Sequence, residues 1–247
     1  METTTEYITQ DTKVSRVGNF SSSQIYKLMT NDRSGKGFGA PAKTYIREKN
    51  FELQLGRPIT TEQDAKSTSW GSFVEKRAFD LIPDLGYRLL SDVHLTHKSI
   101  NNWVGAPDIM NGSGTLVADI KCPWTLTAFC NKIEALEQGL ETYKEEVPED
   151  YWQLISNAAI TGATRMEAII YVPYKDELSE IIESAGQFDG NQNKIAFLNW
   201  ATEDSLPYLI RGKKYLNLNR FDFEVPQQDV QALTERVKMA VNQLLNY

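Results

Sequence analysis

APDIMNGSGTLVADIKCPW (residues 106–124) holds two short apolar runs on either side of NGSG, a strong turn signal. The second run, Leu116–Lys121, reads as a strand. Side chains alternate across a strand, so Asp119 and Lys121 share one face while Leu116, Ala118 and Ile120 share the other. A carboxylate and an ammonium therefore emerge side by side from an otherwise apolar strand. Asp108 lies upstream across the turn, directly after Pro107. A proline cannot donate a ladder hydrogen bond, so Pro107 marks an edge or a bulge, features that re-aim a neighbouring side chain. The hairpin can bring Asp108 beside Asp119. Two carboxylates held together need a proton or a hard cation to neutralise them, and Mg²⁺ takes oxygen ligands of this kind.

Outward from the hairpin the pattern alternates between helix and strand. Upstream, 85–97 and 101–110 read as strands. A helix over about 63–82 carries Trp70, Phe73, Val74, Ala78, Phe79, Leu81 and Ile82 at helical spacing. Glu75 flanks that stripe and is placed to point toward the sheet edge. Downstream, helices over about 126–146 and 149–161 lead to RMEAIIYVPY (165–174), whose nearly continuous apolar run suits a strand covered on both faces. Gln153 lies on the second of these helices, beside Tyr151 and Trp152. An alternating strand follows at 214–225. The last helix has Val230, Leu233, Val237, Val241 and Leu244 at helical spacing. Near the start, Ser21 and Gln24 form a capping-box pattern that opens a short helix. NDRSGKGFGAP (31–41) is a glycine-rich basic loop, and a helix runs from Pro41 to Leu55. Residues 175–212 carry no clear pattern. The reading is one α/β domain.

Composition narrows the function. The 247 residues are 41% hydrophobic and 24% charged, which excludes a disordered chain or a fibre. No run reaches the roughly 18 apolar residues of a membrane span, and METTTEYITQ lacks the layout of a signal segment. Cys122 and Cys130 are too few for a disulfide framework, a four-cysteine zinc site or an iron–sulfur cluster, and read as small apolar groups. His94 and His97, the only histidines, read as surface residues. Trp152 and Trp200 read as core, and Trp124 as core or channel lining. The net charge of −7 is uneven: residues 12–50 carry +6, leaving −13 elsewhere. A bipolar chain of this kind can accept a polyanion at one basic face while repelling it globally.

Each of these residues alone has an ordinary reading, as a surface ion pair, a solvated helix flank or polar surface. The ordered series of helix Glu75, Pro107–Asp108, hairpin turn, Asp119–x–Lys121–Cys–Pro and helix Gln153 resembles the PD-(D/E)xK nuclease superfamily, and within it the phage-lambda-type exonucleases, also called viral-recombinase exonucleases. SRVGNFSSSQI (15–25), RSGK (33–36), SWGSFVE (69–75), APD (106–108), DIKCPW (119–124) and YWQ (151–153) match that family's motifs in order. Two positions depart from it. Asp119 stands where the family commonly has glutamate, and Ala106 where it has a phosphate-contacting serine.

The resemblance implies a restriction-endonuclease-like mixed β-sheet core flanked by helices. A basic DNA-contacting segment would cover about 12–57, a catalytic core about 63–174, and a C-terminal strand and helix about 214–246. It implies an enzyme that degrades linear duplex DNA from a 5′ end and leaves 3′ single-stranded tails for phage-type recombination. Asp108, Asp119 and the Ile120 backbone carbonyl would ligate metal, with Glu75 completing the site directly or through water. The cofactor would be two Mg²⁺ ions, with Mn²⁺ as a substitute. Lys121 would orient the attacking water and Gln153 would hold Lys121 or that water. Arg16, Ser21 and Ser23 would bind the 5′-phosphate, and Arg33 and Lys36 the duplex backbone. The implied partners are double-stranded DNA ends, a single-strand annealing recombinase and two further copies in a homotrimer, with no membrane. The implied setting is the cytoplasm of a bacterial host of a phage or prophage. The alternatives are an endonuclease of the same superfamily, for restriction or junction resolution, and a DNA-binding member without activity.

Overall fold

A computed structural model describes residues 17–59, 66–83, 86–90, 93–188 and 191–246. The expectation for Arg16 lies outside the described residues. In chain order the strands are β1 (Phe20–Ser21), β2 (Tyr87–Leu89), β3 (Leu95–His97), β4 (Ile100–Gly105), β5 (Ile109–Asn111), β6 (Leu116–Lys121), β7 (Arg165–Tyr171) and β8 (Leu218–Glu224). The α-helices are α1 (Ala40–Leu55), α2 (Lys66–Asp80), α3 (Leu126–Gln138), α4 (Leu140–Glu146), α5 (Pro148–Thr161), α6 (Leu178–Ser184) and α7 (Gln227–Leu245).

The architecture is mixed α/β. Among the described residues one sheet has the order β2-β5-β6-β7-β8, in which β6 and β7 are parallel and the other pairs antiparallel. A parallel pair needs a long crossover, and α3, α4 and α5 supply it between β6 and β7. A second sheet, β1-β4-β3, has β1 parallel and β3 antiparallel to β4. Strands β6 and β7 are buried along almost their whole length, because helices cover both faces. Val117 of β6 joins an apolar layer with Met166, Ala168, Ile170 and the inner faces of α5 and α7. Leu116, Ala118 and Ile120 join the opposite layer with Trp70, Val74 and Ala78 of α2 and Leu178 and Ile181 of α6. The β6 alternation thus divides its residues between two cores, as the period-2 pattern requires.

Several sequence expectations need correction. The strand expected over 101–110 is two strands in different sheets: β4 pairs with β1 and β3, while β5 pairs with β2 and β6. Pro107 stands in the gap, where its missing N–H costs no ladder bond. The strand over 85–97 likewise divides into β2 and β3, one in each sheet. The helix over 126–146 breaks at Gly139, whose φ of 114° and ψ of 173° no helix accommodates. The capping box at Ser21 does not form. Ser21 makes no side-chain cap bond, and Ser22–Met29 is a 3₁₀ helix rather than an α-helix. Trp200, read as core, is 87% exposed. Trp152 is buried, and Trp124 packs edge-on against Trp70 and Phe197. His97 stacks on Trp103, 4.6 Å between centroids. The described residues within 175–212 include α6 and short 3₁₀ turns. No helix among the described residues is long and apolar enough to cross a membrane.

Two polar clamps set the N-terminal segment on this frame. Arg236 of α7 donates to the backbone oxygens of Leu28 (2.9 Å) and Thr30 (2.7 Å) and lies over the Phe38 ring, so the C-terminal helix holds both ends of the glycine-rich loop. Trp103 Nε1 donates to Ser156 Oγ on α5 at 2.8 Å, and Ser156 Oγ is 2.8 Å from Ser22 Oγ. This buried chain ties the 3₁₀ helix to α5 through β4.

Gly105, at the end of β4, is where these parts crowd together. A Cβ there would lie 2.4 Å from Ser22 Oγ, 2.6 Å from Asn157 Oδ1 and 2.7 Å from Ile160 Cδ1. Gly105→Ala should therefore cost about 1–3 kcal/mol through overpacking, seen as a melting temperature lower by several degrees. Gly186→Ala, where a Cβ meets nothing within 4 Å, is the matched control and should melt with the parent. Equal melting of the two variants would contradict the close packing described.

Candidate active site

The site forms where the β5–β6 hairpin meets α5. Asp108 follows the proline that separates the two sheets, and its backbone oxygen accepts from the Leu90 N–H at 2.8 Å. Its Oδ2 accepts from the Ile120 N–H at 2.7 Å. The Asp108 carboxylate thus lies against the β6 backbone between Asp119 and Lys121. Lys121 Nζ donates to Gln153 Oε1 at 3.0 Å and lies 3.8 Å from Asp119 Oδ2. Asp119 Oδ1 accepts from Asn157 Nδ2 at 3.0 Å. Asp150, Gln153 and Asn157 are spaced i, i+3 and i+7, so one stripe of α5 faces this strand. Asp150 in turn accepts from Lys132 Nζ and, at 3.2 Å, from Tyr143 OH.

Burial dominates the electrostatics. Asp119 is 1% exposed, and desolvation pushes its pKa up to about 7, opposed by Lys121 and reinforced by Asp108 and Asp150. Desolvation likewise raises Asp108 to about 6, with Lys121 lowering it and Glu75 adding repulsion. Burial works against the Lys121 ammonium too. The surrounding carboxylates, Asp119 first, outweigh it and hold the Lys121 pKa above its ordinary value. Asp150 behaves differently. Burial would raise it, but Lys121 and Lys132 with the hydrogen bonds from Lys132 and Tyr143 keep it below the usual carboxylate range. The neighbouring Cys122 thiol is pushed well above its ordinary value, by burial and then by Glu75 and Asp108, so it stays a neutral thiol.

The donor set suits a hard divalent cation. Asp119 Oδ2 is buried and has no hydrogen-bond partner. Leaving one buried acceptor without a hydrogen bond costs about 1–3 kcal/mol, more when it is charged, and here the Lys121 ammonium 3.8 Å away offsets part of that cost. Among the described residues no three His, Cys, Asp or Glu side chains form a closed metal cage. Mg²⁺ needs none: it binds through one or two carboxylates and completes its octahedron with water and substrate phosphate. Asp108, Asp119 Oδ2 and the Ile120 backbone carbonyl match that requirement in number and hardness.

A cleft of about 1160 Å³ opens beside the site, lined by Glu75, Asp108 and Gln153 together with Ser21, Ser23, Ala106, Arg77 and His94. Glu75 stands on α2 close enough for its charge to be felt by Asp108 and Lys121. Ser21 and Ser23 share the cleft, their hydroxyls 3.3 Å apart. The Ser21 amide is already donated to Tyr45 OH at 3.0 Å, which leaves the hydroxyls as the side-chain donors there. Arg33 and Lys36 are not brought to this cleft. They stand exposed on the glycine-rich loop, which Asp32 folds by accepting from Ser34 and Gly37. Sequence reasoning missed Asn157 and Asp150. Their spacing from Gln153 along one helix face was the available signal, since any side chain at i−3 or i+4 from Gln153 shares its outlook on β6.

No family model matches the chain, and no curated protein matches it. Solved structures do. LHK-Exo in complex with dAMP is 16% identical with a TM-score of 0.61, over 94% of this chain and 91% of that one. The alkaline exonuclease LHK-Exo from Laribacter hongkongensis is 17% identical with a TM-score of 0.58, over 94% and 90%. A phage-related exonuclease from Haemophilus somnus is 15% identical with a TM-score of 0.60, over 92% and 93%. At these identities the likeness is one of fold. The chain shares, over nearly its whole length, the architecture on which these exonucleases are built.

Proposed function

We propose that the protein is a metal-dependent exonuclease that degrades linear duplex DNA in the 5′→3′ direction. The observation that carries this reading is the convergence of Asp108, Asp119, Lys121 and Gln153 where β6 meets α5, with Asp108 and Gln153 lining a cleft that Ser21 and Ser23 share. The exonuclease fold of the solved relatives supports the same reading. The wider role follows from the sequence resemblance. It is production of 3′ single-stranded tails for an annealing recombinase, by a ring of three subunits that encloses the DNA in a basic lumen. The concentration of positive charge in residues 12–50 of an acidic chain is compatible with such a ring.

Each side chain then has a defined task. A divalent cation held by Asp108, Asp119 and the Ile120 carbonyl, with Glu75 beside them, would supply Lewis-acid stabilisation of charge on the phosphate oxygens. Lys121 stays an ammonium, because the carboxylates around it raise its pKa. Its remaining N–H donors orient the attacking water and stabilise the charge that develops as the phosphate is attacked. Gln153 fixes the ammonium by accepting one of its protons. Ser21 and Ser23 offer hydroxyls to a terminal phosphate at the cleft wall.

Digestion of linear and covalently closed circular duplex with Mg²⁺ tests the reading. Loss of the linear form alone is expected; nicking of the circle would point to an endonuclease, and no cleavage of either to a binding protein. Lys121→Ala should slow cleavage of linear DNA by about 100- to 1000-fold, the order that loss of a transition-state donor produces, and Asp119→Ala by at least as much, with circular dichroism unchanged. Parental rates in either variant would remove the assignment.

The raised carboxylates also give a pH signature without DNA. A group whose pKa is higher folded than unfolded stabilises the fold below its unfolded value and loses that contribution as pH rises through its folded value. For Asp119 and Asp108 the window runs from about 4 to about 7. The metal-free protein should lose stability across it. Mg²⁺ binds only the ionised carboxylates, so it should raise the melting temperature by several degrees at pH 8, about 2.7 kcal/mol at a hundred times Kd, and much less at pH 5. Equal Mg²⁺ stabilisation at both pH values would contradict the site.

A further inference from the structure

We propose that Asn157 is a positioning residue that fixes which oxygen of Asp119 is presented to a divalent cation. The inference rests on the metal reading above and adds a residue that neither the sequence resemblance nor the fold comparison assigns. Asn157 is completely buried on α5. Its Nδ2 donates to Asp119 Oδ1 at 3.0 Å, while Asp119 Oδ2 has no hydrogen-bond partner. One oxygen of the carboxylate is therefore held by an amide hydrogen bond, while the other, 3.8 Å from the Lys121 ammonium, accepts none, and the Asn157 bond determines the rotation of the group.

The far end of the amide points the same way. A carboxylate only accepts, so Asn157 has to turn its NH₂ toward Asp119 and its carbonyl away. That carbonyl, Oδ1, is buried without a hydrogen-bond partner. It is confined against Gly105, where a Cβ would stand 2.6 Å from it. A leucine of similar size would fill the same space on a buried helix face and leave no unpaired amide oxygen. The bond that an asparagine adds here is the one to Asp119. Gln153 occupies the adjacent turn and grips Lys121 instead, so the two amides of α5 divide the site: one orients the cation ligand, the other the ammonium.

This division gives a test with no activity readout. Mg²⁺ is titrated into the full-length protein without DNA, and binding is followed by calorimetry and by melting temperature. The parent, Asn157→Leu, Asn157→Ser and Gln153→Leu are compared at pH 8. Asn157→Leu should need about 10- to 100-fold more Mg²⁺ for half-saturation, the loss typical when a group that orients a metal ligand is removed. Asn157→Ser, which keeps a donor, should fall between it and the parent. Gln153→Leu should bind Mg²⁺ within about twofold of the parent, since its partner is not a ligand. Parental Mg²⁺ affinity in a folded Asn157→Leu overturns the inference while leaving the metal reading intact. So does an equal loss in Gln153→Leu, which would make the effect one of general packing. If Asn157→Leu does not fold, Asn157→Ser decides on the same criterion. A parent protein that does not respond to Mg²⁺ overturns the metal reading itself, and this inference with it.

Discussion

A carboxylate buried in the central strand of a sheet is the constraint around which this molecule is arranged. Asp119 sits on β6, flanked in the sheet by β5 and β7 and covered by helices on both faces. An isolated charge in such a place is far too costly to keep, so it must be neutralised, paired or given a cation. Each neighbouring element answers part of that demand. From β6 itself comes Lys121, one side-chain step along the same face. Asn157 and Gln153 reach in from α5, and Asp150, a further negative charge, is itself held by Lys132 and Tyr143. Asp119 Oδ2 accepts no hydrogen bond and has the Lys121 ammonium 3.8 Å away.

The break between the two sheets gives the site its access. A continuous β4–β5 strand would carry Asp108 past the cleft as one more ladder residue. Ala106 and Pro107 instead release the chain from one sheet before it enters the other, and Asp108 turns its carboxylate onto the Ile120 amide. Beside this gap lies the start of the 3₁₀ helix, with Ser21 just before it and Ser23 in its first turn. Its approach is tight, because Gly105 has no side chain and Ser22, Trp103 and Ser156 share one buried hydrogen-bond chain. Ser21, Ser23 and the carboxylates are in this way parts of a single packed unit.

Much of this was legible in the sequence, for physical reasons. The alternation in Leu116–Lys121 was sufficient to put Asp119 and Lys121 on one face, and the apolar run at 165–171 announced a strand covered twice. Helical spacing in α2 and α7 was equally plain. What stayed hidden depended on contacts distant in sequence. Nothing local distinguishes a proline that bulges a strand from one that hands the chain to a second sheet, as Pro107 does. Ser21 carried a valid capping-box pattern, yet Tyr45, on another helix, takes up its amide. Trp200 was read as core from its chemistry alone, and no periodic pattern in 175–212 existed to correct that. Asn157 was overlooked because a single buried amide has no signature until its partner is known. Its position four residues after Gln153 puts it on the same helix face but does not name that partner.

The account's central claim is that Asp108 and the open oxygen of Asp119 hold a divalent cation beside Lys121. Anomalous scattering from crystals of the protein soaked in Mn²⁺ tests it most directly, because it locates the metal without relying on cleavage. The account predicts a peak coordinated by Asp108, Asp119 Oδ2 and the Ile120 carbonyl, with Asn157 still bonded to Oδ1. Metal bound only elsewhere, or none bound at saturating Mn²⁺ with the Asp119–Lys121 ion pair unchanged, would contradict it.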